Sequence, residues 1–98
     1  MLANEIINRL ILLAKGKSEL KYDDIFEAKF IKSIPEKEAR TIFKSIIDTA
    51  GLPATVTAIT MPSPTTADAR IQFEKNEEHI FSIKFDSRSK KISSFNIE

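Results

Sequence analysis

The segment 39–50 carries the most restrictive pattern in this chain. Its apolar residues recur at intervals of three and four, namely Ala39, Ile42, Phe43, Ile46, Ile47 and Ala50. This spacing predicts an amphipathic helix with one buried face. Pro35 fits the first turn of such a helix, where its missing amide costs nothing, and Gly51 fits its end. The rest of the chain must therefore supply an apolar surface for this helix to cover.

Two shorter helices are predicted ahead of this segment. Asn4 can cap a first helix that stops at Gly16. Asp24 and Glu27 have the spacing of a capping box, which predicts a short second helix from that point. Leu12 is the apolar exception on the polar face of the first helix. It is therefore either a lone surface leucine, a cover for the following segment or a contact for a partner.

In the second half of the chain the apolar period changes to two, which is typical of half-buried strands. β-branched residues dominate 54–60, and the prolines in 61–66 predict an irregular crossing to the next strand. Alternation returns in 67–74 and 79–86, around a turn at Asn76. These two segments are predicted to form one hairpin.

A last strand contains Ile92, Phe95 and Ile97, and the phase slips between Ile92 and Phe95, which predicts a bulge. The resulting order is helices first and strands afterwards, without an internal repeat. We therefore expect a single α+β domain over residues 1–98. Two or three N-terminal helices are expected to pack on one face of a curved four-stranded antiparallel sheet.

Composition excludes several function classes. The 98 residues hold 15 basic and 14 acidic side chains, so no electrostatic footprint for nucleic acid or an anionic membrane is expected. No cysteine is present, which excludes disulfides and thiolate chemistry. The longest apolar run, Leu10–Ala14, is too short to span a bilayer.

Candidate chemistry is sparse. His79 is the only histidine, and it shares the phase of Phe81 near a strand end, where an acidic neighbour could make it a base. A satisfied ring near a turn is the alternative interpretation. Asp23 and Asp24 alone do not supply the oxygens that a hard cation needs. We therefore predict no catalytic residue, no metal site and no cofactor site.

Two polar surfaces are expected. The first is a solvated sheet face, which is either free or the contact of a homodimer, formed by Arg70, Gln72, Glu74, Ser82 and Lys84. The second is a basic turn with Arg88, Lys90 and Lys91, which is too small to bind nucleic acid well.

The apolar framework resembles a known family. The residues that carry the resemblance are Phe26, Phe30, Ile31, Ile34, Pro35, Gly51, Lys91, Ile92 and Phe95. Together with the helix and strand order, they resemble the small nuclear transport factor 2-like domain of the cystatin-like and SnoaL-like superfamily. In outline the chain is similar to the N-terminal domain of bacterial β-lactamase-like serine hydrolases.

This resemblance implies a non-catalytic accessory or interaction domain of a larger bacterial protein, outside the cytoplasm. The Ser-x-x-Lys nucleophile would lie in a following hydrolase domain, and the partner would be that domain or another protein. The chain stops at Glu98 directly after a strand-like run, so we expect it to be excised from something longer. Apolar contacts are expected at Leu12 and at Met1–Leu2.

Enzymes of the same superfamily place acids and histidines in a conical cavity. Here the inward strand positions offer Ala, Ile and Phe, so a filled core is expected. The alternative function is a stand-alone small-ligand-binding protein, or a lyase or isomerase, with a cavity near His79.

Overall fold

The computed structural model describes residues 2–16 and 21–98, and joins four helices to a four-stranded sheet. The helices are α1 (Leu2–Ala14), α2 (Tyr22–Ile25), α3 (Ala28–Ser33) and α4 (Glu36–Ala50). The strands are β1 (Pro53–Ser63), β2 (Thr66–Phe73), β3 (Glu78–Phe85) and β4 (Ile92–Ile97). They pair antiparallel in the order β1-β2-β3-β4, so the sheet stays open with β1 and β4 at its edges. The predicted α+β class is confirmed.

The core lies between one face of the sheet and the helices. Alternate residues of the two central strands supply its sheet side, namely Ala67, Ala69, Ile71 and Phe73 from β2 and Phe81, Ile83 and Phe85 from β3. The helices add the apolar residues Ile6, Ile7, Leu10, Leu13, Phe30, Ala39 and Phe43. No polar or charged side chain of the described residues is buried. The predicted period of two therefore identifies the covered sheet face correctly.

The central helix α4 begins directly after Pro35, which is its N-cap and does not lie in its first turn as predicted. The helix ends at Gly51, as predicted. Glu36 and Glu38 lie in its first turn, where negative charge complements the helix dipole. Gly51 has φ 81° and ψ −169°, and its amide donates to the carbonyl of Ile47 at 2.8 Å. That backbone conformation is open almost only to glycine, so the helix stop is encoded locally.

The first helix starts earlier than predicted. Helix α1 includes Leu2 and Ala3, so Asn4 lies inside its first turn and is not the cap. Ala3 is completely buried, and this packing extends the helix toward the N-terminus. Gly16 has φ +81°, which confirms the predicted left-handed stop.

The predicted capping box at Asp24 is wrong. Glu27 caps no helix with its side chain, and the chain at Phe26 and Glu27 is extended between α2 and α3. The cause is tertiary, because the Glu27 amide donates to the carbonyl of Ile92 at 2.8 Å and Phe26 forms a parallel bridge with Ile92. Two short helices therefore replace one.

The irregular crossing predicted over 61–66 is also wrong, because β1 continues to Ser63 and pairs with Thr66 in a tight hairpin. Pro62 is tolerated because an edge strand leaves one row of amides without a ladder partner. The bulge in β4 is confirmed. Ser94 pairs with Lys84 and Ile92 pairs with Phe85, so one extra residue lies between them on β4.

Candidate functional site

An apolar groove of about 280 Å³ runs between β4 and the helices α3 and α4. The residues that line it are Phe30, Ile34, Ala39, Ile42, Phe43, Phe95, Asn96 and Ile97. None of them is titratable, and Asn96 is the only polar one. The groove can therefore bind apolar groups, but its described lining holds no acid, base or nucleophile.

Strand β4 supplies one wall of the groove. Phe95 and Ile97 are half-buried and lie on the helix-covered side, opposite Ile83 and Phe81 of β3. The ring of Phe95 packs against Phe43 with a centroid distance of 5.8 Å and against Phe81 at 5.3 Å. These aromatic contacts hold the wall in one position.

Helix α4 supplies the opposite wall. Ala39 and Phe43 are buried, whereas Ile42 is 45% exposed beside the groove. The three-four pattern placed Ile42 on the buried face, and this prediction is wrong because the apolar arc of α4 is wider than the surface that the sheet covers. Ile42 is an unusually exposed large apolar residue on this wall.

Ile34 lies at the end of the groove where α3 meets α4. Its carbonyl accepts a 2.7 Å hydrogen bond from the hydroxyl of Tyr22, a buried residue of α2. Burial, and next the negative charges of Glu36 and Glu38, raise the pKa of Tyr22 to about 12. The two glutamates therefore place negative potential at this end.

The outer edge of β4 is open beside the groove. Glu98 and Ile80 exchange main-chain hydrogen bonds of 2.9 and 3.1 Å. In an antiparallel ladder such pairs alternate with pairs that share no bond, so Asn96 is the next residue bonded to β3. The amides and carbonyls of Phe95 and Ile97 consequently point away from β3, and no described residue donates to them or accepts from them.

The other sheet edge differs. Strand β1 contains Pro53 and Pro62, and three register shifts interrupt its pairing with β2.

A shallow groove of about 600 Å³ lies between β1 and α1, and Leu12, which is 40% exposed, borders it together with Lys15. Leu12 therefore is a surface residue as expected. Met1 and the side chain of Leu2 lie outside what the structure describes, so the apolar contact expected at Met1–Leu2 stays a prediction.

His79 lies near the end of β3, on the same sheet face as Phe81, and is half-buried. Its Nδ1 is 3.1 Å from the main-chain oxygen of Glu98, and its ring lies edge-on to Phe73 with centroids 5.1 Å apart. Its Nε2 is 3.7 Å from the Glu77 carboxylate and has no hydrogen-bond partner among the described residues. Because a carbonyl oxygen can only accept, Nδ1 carries the proton and donates. The ring thus packs at a strand end, and it lines neither the groove beside β4 nor the one beside β1.

The two polar surfaces lie where the sequence indicates. On the outer sheet face, Arg70 pairs with Glu78 across strands at 3.3 Å. At the basic turn, Lys90 lies 3.9 Å from Glu5 of α1. Exposed pairs of this kind contribute little, roughly 0–1 kcal/mol.

Two further properties bear on the predicted sites. In the ranges 2–16 and 21–98, no three potential metal ligands from His, Asp or Glu cluster together, and Asp23 and Asp24 gain no third ligand. Among the helices described, none is both long and apolar enough to cross a bilayer.

The groove was not predicted from the sequence. One signal was available, because the apolar residues of 39–50 span too wide an arc to face a sheet completely. The other element, the open stretch of β4, depends on strand order, which periodicity does not encode.

Comparison of the chain with protein-family models, with curated proteins and with solved structures finds no match. The likeness to nuclear transport factor 2-like domains consequently stays a prediction from the packing residues.

Proposed function

We propose that this chain is a non-catalytic interaction domain, and that the groove beside β4 is where its partner binds. The single observation that carries the proposal is the combination, in one place, of an apolar groove without titratable groups and an open strand edge. Exposed apolar surface of this kind marks binding sites on folded proteins.

The finer form of the proposal is an accessory domain of a larger bacterial protein, ahead of a β-lactamase-like serine hydrolase domain and outside the cytoplasm. The resemblance of the framework residues supports it. The coding sequence tests it, because an in-frame Ser-x-x-Lys domain is expected after Glu98, with a secretion signal ahead of Met1. A start codon and a stop codon that bound these residues would contradict it.

The alternative is a ligand cavity at His79. That ring is packed against Phe73 and donates to the main-chain oxygen of Glu98. These contacts engage Nδ1 and the ring but leave Nε2 without a hydrogen-bond partner among the described residues. The open apolar surface, however, lies at β4. We therefore place the binding site at β4.

Photo-crosslinking tests the proposed site. A benzophenone amino acid replaces Ile42 in the chain as its own organism produces it, and separate controls carry it at Leu12 and at Lys84. The proposal predicts an adduct with one defined domain or protein from position 42, with little or none from the controls. Adducts from Leu12 or Lys84 alone, or no adduct from any position, would contradict it.

A further inference from the structure

We infer that the partner binds as an extended segment that adds a fifth strand to the sheet at Phe95–Ile97, with apolar residues at alternate positions and a basic residue at the Glu38 end. This inference rests on the proposed function and identifies the kind of partner that the groove accepts.

The hydrogen-bonding pattern of the β4 edge suits an added strand. Phe95 and Ile97 each direct one amide and one carbonyl outward, and they lie two residues apart. Alternate residues of any extended chain repeat at the same distance, about 6.6–6.8 Å. An added strand can therefore satisfy all four main-chain groups at once.

The fold already uses this edge in the same way. The Glu27 amide donates to the outward carbonyl of Ile92 at 2.8 Å, and Phe26 forms the parallel bridge there. The pairing stops because α3 begins at Ala28. Part of the outer edge of β4, at Ile92, is therefore already paired with an extended segment of the same chain, and the rest of that edge is open.

The two sheet edges differ in how they are protected. Natural sheets protect an edge with prolines, bulges or charged side chains. Strand β1 has the prolines and the register shifts, whereas residues 93–97 of β4 read Ser-Ser-Phe-Asn-Ile, without a proline or a charge. The bulge of β4 lies at the end that Phe26 covers. The open part of β4 is therefore the edge suited to strand addition.

The groove can accept the side chains of such a strand. A strand added to β4 directs every second side chain toward the helix side of the sheet. Those side chains meet the groove, whose opposite wall is α4 with Ile42. Alternate apolar residues in the partner would fill this space, while the residues between them face solvent.

The charge beside the groove favours a basic residue in the partner. Glu38 lies one helical turn before Ile42 on α4, and no described basic residue forms an ion pair with it, since Arg40 pairs with Glu36 at 2.8 Å. A lysine or arginine in the partner complements this carboxylate. A second copy of the chain fits less well, because β4 itself (Ile92–Ile97) carries no basic residue and a copy would bring another Glu38.

A defined peptide tests this inference. The probe is the acetylated and amidated heptapeptide Lys-Thr-Val-Thr-Val-Thr-Lys, titrated into the ¹⁵N-labelled protein with NMR detection. Its lysines lie on the same side of the strand as the valines, and one is at each end, so that either strand direction brings a lysine to Glu38. Two analogues carry N-methyl groups, one on the valines and one on the threonines. The parent peptide is expected to shift the amides of Phe95 and Ile97, and only one of the analogues is expected to lose binding. A loss with methylated valines indicates an antiparallel strand, and a loss with methylated threonines indicates a parallel one.

Protein variants separate the contribution of the apolar groove to peptide binding from that of the Glu38 charge. Ile42→Asp is expected to weaken the peptide at least about tenfold, as for a buried apolar contact. Leu12→Asp, a similarly exposed leucine on α1, is expected to change nothing. Glu38→Lys is expected to weaken the lysine peptide about two- to fivefold. It should also strengthen an otherwise identical peptide that carries glutamate in place of both lysines.

Several results would overturn the inference. Equal binding of both N-methylated analogues and the parent, or equal loss of both, excludes strand addition. Equal binding by wild type and Ile42→Asp excludes this groove. Sedimentation could also show that the wild-type protein is a dimer and that Ile42→Asp is a monomer. In that case the edge binds a second copy of the chain, and the inference is wrong. If no peptide binds but crosslinking from position 42 still yields one partner, the inference fails while the proposed function stands.

Discussion

The main-chain amide of Glu27 lies 2.8 Å from the carbonyl of Ile92 and donates to it. This hydrogen bond ties the chain between α2 and α3 to the outer edge of β4. Helix α3 begins at the next residue, Ala28. The groove and the open edge at Phe95 and Ile97 begin at that point.

Gly51→Ala is predicted to lower the free energy of unfolding by about 2–4 kcal/mol. Gly51 has φ 81° and ψ −169°, and a Cβ there would lie 2.8 Å from the Cβ of Glu74. Gly16→Ala is the matched control, because Gly16 has the same φ and no atom of residues 2–16 or 21–98 lies within 4 Å of its added Cβ. We expect Gly16→Ala to lower the free energy of unfolding by about 1–2 kcal/mol, because it adds backbone strain without a steric contact. Urea denaturation measures both, and equal losses would show that the Glu74 contact is unimportant.

Tyr22 is predicted to titrate near pH 12 in the folded protein, because its pKa is raised to about 12 from its ordinary value of 10.0. It is the only tyrosine and the chain has no tryptophan, so ultraviolet absorbance reports its ionisation alone. The unfolded chain loses this proton first as the pH rises, so the contribution of Tyr22 to stability is complete below about pH 10 and declines toward about pH 12. The difference in unfolding free energy between wild type and Tyr22→Phe should shrink over that range. A Tyr22 that titrates at its ordinary pKa would contradict the buried hydrogen bond to Ile34.

Ile42 and Phe43 are neighbours in α4 with opposite predicted roles. Phe43 is 4% exposed, so Phe43→Ala should cost about 3–5 kcal/mol of stability. Ile42 is 45% exposed, and Ile42→Ala should change stability by less than about 1 kcal/mol. Thermal and denaturant unfolding compare the two. If both variants lose stability equally, Ile42 is a packing residue and the groove loses its exposed wall.

His79→Ala is predicted to keep the fold and to lose about 1–2 kcal/mol of stability. The expected loss comes from the hydrogen bond to Glu98 and the edge-on contact with Phe73. NMR spectra and urea unfolding measure it. A small hydrophobic ligand that binds wild type but not His79→Ala would instead support the alternative of a cavity near this ring.

The parts of the fold that were predictable are those with local causes. Pro35 and Gly51 mark the two ends of α4 both in the sequence pattern and in the structure. The alternation in 67–74 and 79–86 identifies the buried sheet face because a strand turns every second side chain the same way. The phase slip between Ile92 and Phe95 likewise marks the real bulge.

The errors have tertiary causes. Phe26 and Glu27 satisfy a local helix-start pattern, but their hydrogen bond and bridge to Ile92 hold them extended. Pro62 led to the prediction that the strand ends before it, but β1 is an edge strand and tolerates a proline. Ile42 reads as buried, because the three-four period cannot show how far the sheet extends beneath the helix.

Amide hydrogen exchange along β4 in the isolated protein decides whether the edge is available to a partner. If the edge is open, the amides of Phe95 and Ile97 should exchange much faster than those of Ser94 and Asn96, which donate to β3. The contrast should persist at several protein concentrations. Equal protection of all four amides would mean that the edge is covered in the free protein, which would contradict both the binding site at β4 and the addition of a strand there.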